Sequence, residues 1–176
     1  MKALQSLLRT DGRASSLVAR LALGLVMFPH GAQKVPGWFG GYGFHGTMSF
    51  FTGQLHIPAL FALLAIAAEF VGSIGLITGC LSRVAAFGIG VNMVVAISMV
   101  HGANGFFMNW YGNQKGEGFE YHLLTLGLAL VVMVAGAGKW SIDSLLNRRL
   151  ETEQTSNSKT PIARVGNPGL ANLVSK

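Results

Sequence analysis

Four stretches of this chain, residues 17–33, 59–80, 84–101 and 119–137, are almost purely apolar and of nearly equal length. A helix rises 1.5 Å per residue and a bilayer's hydrocarbon core is about 30 Å thick, so roughly 20 residues make one crossing. The runs predict an all-α integral membrane protein, a four-transmembrane-helix bundle. Only 11% of the residues are charged, well below the quarter or so of a soluble domain. The 24 glycines follow no period of three, and nine of them lie within the apolar runs, as in membrane helices. A basic segment precedes the first run without an A-x-A-like cleavage site after it, which reads as a retained helix rather than a removed signal. Arg20 falls inside that first run, near enough to its end to snorkel to the headgroups.

The net charge of +6 raises the question of a nucleic-acid partner, and the placement of the charge answers it. Lys2, Arg9, Arg13, Arg20, Arg83, Lys139, Arg148, Arg149, Lys159, Arg164 and Lys176 fall on one side of the four spans, leaving Lys34 and Lys115 on the other. By the positive-inside rule both termini are cytoplasmic and the two long loops face outward. The charge is therefore topology, and no nucleic-acid binding is expected. Trp38, Trp110 and Trp140 sit near span ends, where indoles favour the headgroup layer. Cys80 is the sole cysteine, which excludes an intrachain disulfide, a C-x-x-C redox pair and a cysteine-cage metal site. Ser141 has the character of a cap on a short amphipathic helix carrying Ile142, Leu145 and Leu146 opposite Arg148 and Arg149. The division expected is a transmembrane domain over residues 1–150 and a disordered cytoplasmic tail over 151–176, which is too polar to fold alone.

The stretch FPHGAQKVPGWFGGYGFHG, residues 28–46, contains the spacing G-x-G-x-x-G at Gly41, Gly43 and Gly46. A dinucleotide fingerprint needs a strand before the first glycine and a helix opening at the last. Here a membrane helix precedes, and the loop faces away from cytosolic cofactors. The glycines instead suit a tight turn leading into a short re-entrant or interfacial segment, residues 47–56, between the first two spans and stopped by Pro58.

Topology also assigns depths. His30, Gln33 and Lys34 share adjoining faces where the first helix reaches the outer surface. His101 and Asn104 lie where the third helix leaves, and Glu117, Glu120 and His122 where the fourth enters. Glu69 lies about 15 Å into the second helix, near the midplane, where a bare charge costs at least ~2.5 kcal/mol. The small-residue stripe Ala62, Ala65, Glu69, Gly72, Leu76 and Gly79 turns it inward. Each polar residue also has a structural reading. Glu69 pairs with Arg20 or Lys34, the histidines are satisfied by water or backbone, Asn104 caps a helix and Glu120 complements a helix N-terminus. Asn92, nine residues before His101, falls about 180° away and reads as a bundle contact. No segment carries a dense ligand pair such as H-E-x-x-H, and neither a metal nor haem enters the reading.

The blocks RLALGLVMFPHGAQK, FGGYGFHGTMSFF, AAEFVGS, LSRVAA, VHGANGFF and GFEYHLL, in this order and spacing, resemble the DoxX family of small four-helix bacterial membrane proteins, over about residues 20–146. The resemblance implies a four-helix membrane bundle with a link to membrane redox chemistry. Some relatives are similar to the membrane subunit of a quinone-reducing thiosulfate dehydrogenase. Others are tied to thiol and oxidative-stress defence in complexes with soluble enzymes. The family's polar pattern falls on His30, Gln33, Lys34, Gly40, Gly41, Glu69, Arg83, His101, Asn104, Gly105, Glu120 and Tyr121. Ser73 and Ser82 depart from it, where glycine and threonine are common.

Together these readings imply an oxidoreductase component of the bacterial-type cytoplasmic (inner) membrane, multi-pass, binding a quinone or a small sulfur substrate at the outward end of the bundle. The expected catalytic groups are His30, His101, Glu69 and Glu120; Gln33, Lys34, Asn104, Phe107 and Tyr121 are the expected ligand contacts, with Phe106 and Trp110 as further aromatic walls. No covalently bound cofactor is expected. The partners are the bilayer and membrane or soluble redox proteins, and an oligomer is compatible with the sequence. Two rival readings are a non-catalytic anchor recruiting a soluble redox or thiol-stress enzyme through the tail, and a small proton-coupled carrier or channel using Glu69.

Overall fold

A computed structural model describes residues 2–10 and 14–158. Seven α-helices follow one another among these residues, and no strand occurs among them: α1 Lys2–Leu8, α2 Ala14–Lys34, α3 Gly43–Ser49, α4 Ala59–Thr78, α5 Ser82–Ala96, α6 Glu120–Ala135 and α7 Ile142–Ser158. Helices α2, α4, α5 and α6 pack into one bundle, with α2 against α4 and α6, and α5 against α4 and α6. Its core is a single cluster that includes Leu23 and Met27 of α2, Leu76 of α4, Ile89 and Met93 of α5, and Val132 of α6. The outer faces are equally apolar: Leu25, Phe61, Val71, Phe87, Leu124 and Val134 are all exposed. A surface this greasy on every helix needs a hydrocarbon solvent.

Three of the helical segments have the length and hydropathy to cross a membrane: Ala14–Lys34, Ala59–Thr78 and Ser82–Asn104. The last extends α5 through a wide π turn, Ile97–His101, and a tight 3-10 turn, Gly102–Asn104. Helix α6 is apolar but has only 16 residues, about 24 Å of rise, so the span read over residues 119–137 is shorter than expected. Gly136, with φ of 80°, ends it.

Arg20 does not snorkel. It is 1% exposed, and its guanidinium donates to the carbonyls of Leu76 (2.7 Å), Ile77 (2.7 Å), Ala137 (2.8 Å), Trp140 (2.9 Å) and Lys139 (3.2 Å). Two of these carbonyls, of Leu76 and Ile77, belong to the last turn of α4 and three to the connection between α6 and α7, and the five N–H groups of one arginine reach them together. Gly79, at φ of 73°, turns the chain out of α4; a Cβ there would collide with Ser141. Asp143 completes the knot by accepting from the amides of Leu81 (2.7 Å) and Ser82 (2.9 Å) at the start of α5.

Ser141 does cap the helix after it, its Oγ accepting from Ser144 N at 3.2 Å. That helix, α7, runs to Ser158, so residues 151–158 are helical where a disordered tail is expected from their polarity; a helix already nucleated and docked on α1 extends more cheaply than a new one starts. The rest of that expected tail, 159–176, lies outside the described residues.

Between α2 and α4 the chain makes a 3-10 turn at Trp38–Gly40, the short α3 and a π turn at Phe50–Gln54. The segment packs on α2 and α4 and roofs the bundle at the end opposite Arg20.

Candidate functional site

Helix α2 places Met27, His30 and Lys34 on one face by steps of three and four. Gly31 lies on the flank that meets α4, and its lack of a side chain decides how near the two helices come. A Cβ at Gly31 would lie 2.5 Å from Phe70 Cα and 2.7 Å from Phe70 N, inside contact distance of α4's backbone. Lys34 Nζ therefore reaches Glu69 Oε2 at 2.5 Å. Asn92 on α5 donates to Ala65 O (2.8 Å) and stands 3.5 Å from Glu69 Oε1, so the carboxylate is approached from two helices. Lys34, not Arg20, is the partner of Glu69.

The π turn ending α5 then sets where His101 faces. One extra residue in a turn shifts the phase by about 100°, the step of one residue in an α-helix. Asn92 and His101, expected on opposite faces, accordingly line the same cavity. His101 Nδ1 donates to Glu117 O at 2.8 Å; a carbonyl only accepts, so this nitrogen carries the proton. The His122 ring of α6 lies beside it, centroids 4.2 Å apart and planes tilted by 43°, and the Tyr121 ring centroid lies 5.9 Å from that of His30. The Tyr121 hydroxyl donates to Met27 Sδ at 3.4 Å.

These groups surround a cavity of about 350 Å³. Its polar lining comes from His30, Lys34, Glu69, Asn92, His101, Glu117, Tyr121 and His122; Met93, Met99, Met108, Val95 and Val100 form apolar walls, and Phe50, Phe51, Leu55 and Ile57 come from the segment between α2 and α4. That is the composition of a small-molecule pocket, with greasy sides and few converging polar groups. Among the described residues no group of three or more His, Cys, Asp or Glu side chains is set to hold a metal ion.

Of the residues expected to form the site, His30, Lys34, Glu69, His101 and Tyr121 line this cavity, and Gln33, Asn104, Phe107 and Glu120 do not. Gln33 donates to Phe39 O at 3.3 Å and holds the loop after α2. Asn104 donates to Glu117 O at 3.0 Å. Glu120 Oε1 accepts from Met108 N (3.2 Å) and Trp110 Nε1 (3.0 Å), pinning the outer loop rather than charging the pocket. Phe107 is 66% exposed and packs on Phe106, which with Trp110 also lies on the outside; Phe50 and Phe51 supply the aromatic walls instead. Asn92, Glu117 and His122 are the polar additions. For His122 the available signal was a histidine in an otherwise apolar helix at the depth of His101.

The DoxX family model matches residues 15–102, half of the chain. The chain belongs to the DoxX family. The matched stretch of this DoxX protein runs from α2 to the first 3-10 residue after His101, so it carries the Lys34–Glu69 pair, Asn92, His30 and His101. Tyr121 and His122 enter from α6, beyond it. As a DoxX protein with these apolar helices, the chain is a multi-pass membrane protein that sits in a lipid bilayer. No curated protein and no solved structure matches it.

Proposed function

We propose that this DoxX protein is a membrane-embedded oxidoreductase component whose cavity binds a quinone ring or a small sulfur substrate. In this reading it lies in a bacterial-type cytoplasmic membrane with both termini cytoplasmic. Helix α6 completes a fourth crossing, and residues 47–56 enter the outer leaflet above the pocket. One observation carries the proposal: ionisable groups from α2, α4, α5 and α6, with Tyr121, converge on a single cavity walled by methionine, valine and phenylalanine. Intramembrane ionisable residues are costly and are retained where they act.

A quinone, when bound, supplies two-electron, two-proton redox chemistry, and the cavity's lining suits its ring. The apolar walls would hold the ring, His30 and Tyr121 would donate to its oxygens, and His101, whose Nδ1 proton is committed to Glu117 O, would accept from a hydroxyl of the reduced ring. Among the described residues Lys34 is the one lysine or arginine lining the cavity, and it would favour an anionic ligand, whether a sulfur oxyanion or a ring that has lost a proton. Glu69, held by Lys34 and Asn92, is positioned to take or return a proton. The knot around Arg20, packed with five hydrogen bonds at the opposite end of the bundle, supports a blind pocket over a through-going carrier.

Titration of the full chain in lipid nanodiscs with a short-chain benzoquinone and with thiosulfate tests the reading. One of the two is expected to bind saturably above empty nanodiscs; His30→Ala is expected to weaken it about tenfold or more, the range of a lost hydrogen bond to a buried ligand, and His101→Ala to weaken the reduced, dihydroxy form of the ring. Unchanged binding and turnover in both variants would reject the assignment.

The anchor reading draws on α7, whose Leu145 and Leu146 are exposed beyond the bundle. Removing residues 151–176 separates it: activity lost in cells with ligand binding intact favours recruitment of a soluble partner.

A further inference from the structure

The two adjacent imidazoles at the cavity differ in what they offer a ligand. His101 Nδ1 is committed as a donor to Glu117 O at 2.8 Å, so in the neutral ring Nε2 bears a lone pair and only accepts. His122 is 6% exposed and its Nδ1 is enclosed without a hydrogen-bond partner. An enclosed N–H with no acceptor costs more than an enclosed lone pair, so the proton belongs on the other nitrogen, and His122 meets a ligand as an Nε2–H donor. The two rings lie side by side, centroids 4.2 Å apart and planes tilted by 43°. Lys34, His30, Glu69 and Tyr121 are the remaining ionisable groups of these elements that face the cavity, with Glu117 at its edge. Among the described residues no hydrogen bond joins the two histidine rings to each other, which leaves one acceptor and one donor side by side for something else.

We propose that His101 and His122 form a hydroxyl-reading pair, which selects the reduced, dihydroxy form of an aromatic ring over the corresponding quinone. A hydroxyl donates to His101 Nε2 and accepts from His122 Nε2–H at the same time. A quinone carbonyl only accepts, and leaves the His101 lone pair enclosed and unpaired. Glu69 Oε1 extends the same discrimination: its only donor among the described residues is Asn92 at 3.5 Å, so it too has capacity to accept from a hydroxyl and none to give to a carbonyl. Sites built to meet a hydroxyl discriminate strongly against analogues lacking it, because their polar groups are then stranded.

This inference rests on the reading of the pocket as a ring-binding site, and the test separates the two. The full chain in lipid nanodiscs is titrated with a short-chain 1,4-benzoquinone and, anaerobically under reducing conditions, with its quinol, and binding to empty nanodiscs is subtracted. The quinol is expected to bind about tenfold or more tightly than the quinone. His101→Phe and His122→Phe, which keep an aromatic ring in place but remove the acceptor or the donor, are expected to bring the two forms to within about twofold of each other. Equal binding of the two forms, tighter quinone binding, or a preference that survives His101→Phe overturns the hydroxyl-reading pair while leaving the pocket as a quinone site. Failure of both forms to bind above empty nanodiscs rejects the ring-binding reading and this proposal together. The comparison on the unsubstituted protein decides even where a variant does not fold.

Discussion

The Lys34–Glu69 pair offers the sharpest test of what holds the pocket open, because its members sit on different helices and are differently buried. Their side chains are 22% and 10% exposed, with Nζ to Oε2 at 2.5 Å. At an effective dielectric of about 20 the gross attraction at that distance is roughly 7 kcal/mol. Desolvation of the two ions offsets most of this, so the pair adds little net stability over an apolar replacement, and breaking it from one side is what costs. Lys34→Met strands a nearly enclosed carboxylate with Asn92 as its remaining neighbour, and is expected to cost about 3 kcal/mol. Glu69→Gln strands an ammonium that can turn to His30 O, 3.5 Å away, and to water, so about 2 kcal/mol is expected. The double variant leaves no buried charge and is expected within about 1 kcal/mol of the parent. Unfolding by SDS titration in mixed micelles, followed by tryptophan fluorescence, measures all four proteins. Losses that simply add in the double variant, or single variants as stable as the parent, would refute the buried-pair account. Ligand binding should fall in all three variants, the stable double variant included, which separates the pair's part in the site from its part in the fold.

Three further outcomes follow from the geometry. Arg20→Met removes five hydrogen bonds and strands carbonyls at the end of α4 and in the α6–α7 connection, an expected loss of about 3–5 kcal/mol in the same titration; Arg20→Lys should recover less than half, because a compact ammonium cannot span both sets. Gly31→Ala brings a methyl to 2.5 Å from Phe70 Cα, so α2 and α4 must part by about 1 Å, at an expected 1–3 kcal/mol; ligand affinity should fall with it as the Lys34–Glu69 contact lengthens, and unchanged stability would contradict the packing described. Glu120→Gln keeps the oxygen that accepts from Met108 N and Trp110 Nε1 and should leave ligand affinity within about twofold, whereas Glu120→Ala should expose residues 108–117 to limited proteolysis; a large effect of Gln would mean that the charge, and not the loop contact, is what matters.

Membrane residence, the helical class and the common depth of the polar groups could be read from sequence, because hydrocarbon forces every backbone group into a helix and marks each crossing with a long apolar run. The same logic brings His30, Lys34 and His101 toward one end of a bundle and sets Glu69 deeper, near the midplane. Their pairing could not be read that way. That Glu69 meets Lys34 and not Arg20 depends on Gly31 admitting α4's backbone, and that Arg20 is buried depends on the end of α4 and the α6–α7 connection meeting beside it. Asn92 makes the bundle contact the sequence suggests, to Ala65 O, yet shares a cavity with His101, because the π turn at Ile97–His101 breaks the phase of a regular helix. Glu120 and Asn104 share the depth of the site but spend their hydrogen bonds on the outer loop, a choice made by loop geometry that no periodicity encodes. Depth and class are one-dimensional properties of the chain, set by hydropathy along it. Which polar atoms meet across the bundle is set by helix separation and phase, and those exist only once the helices pack.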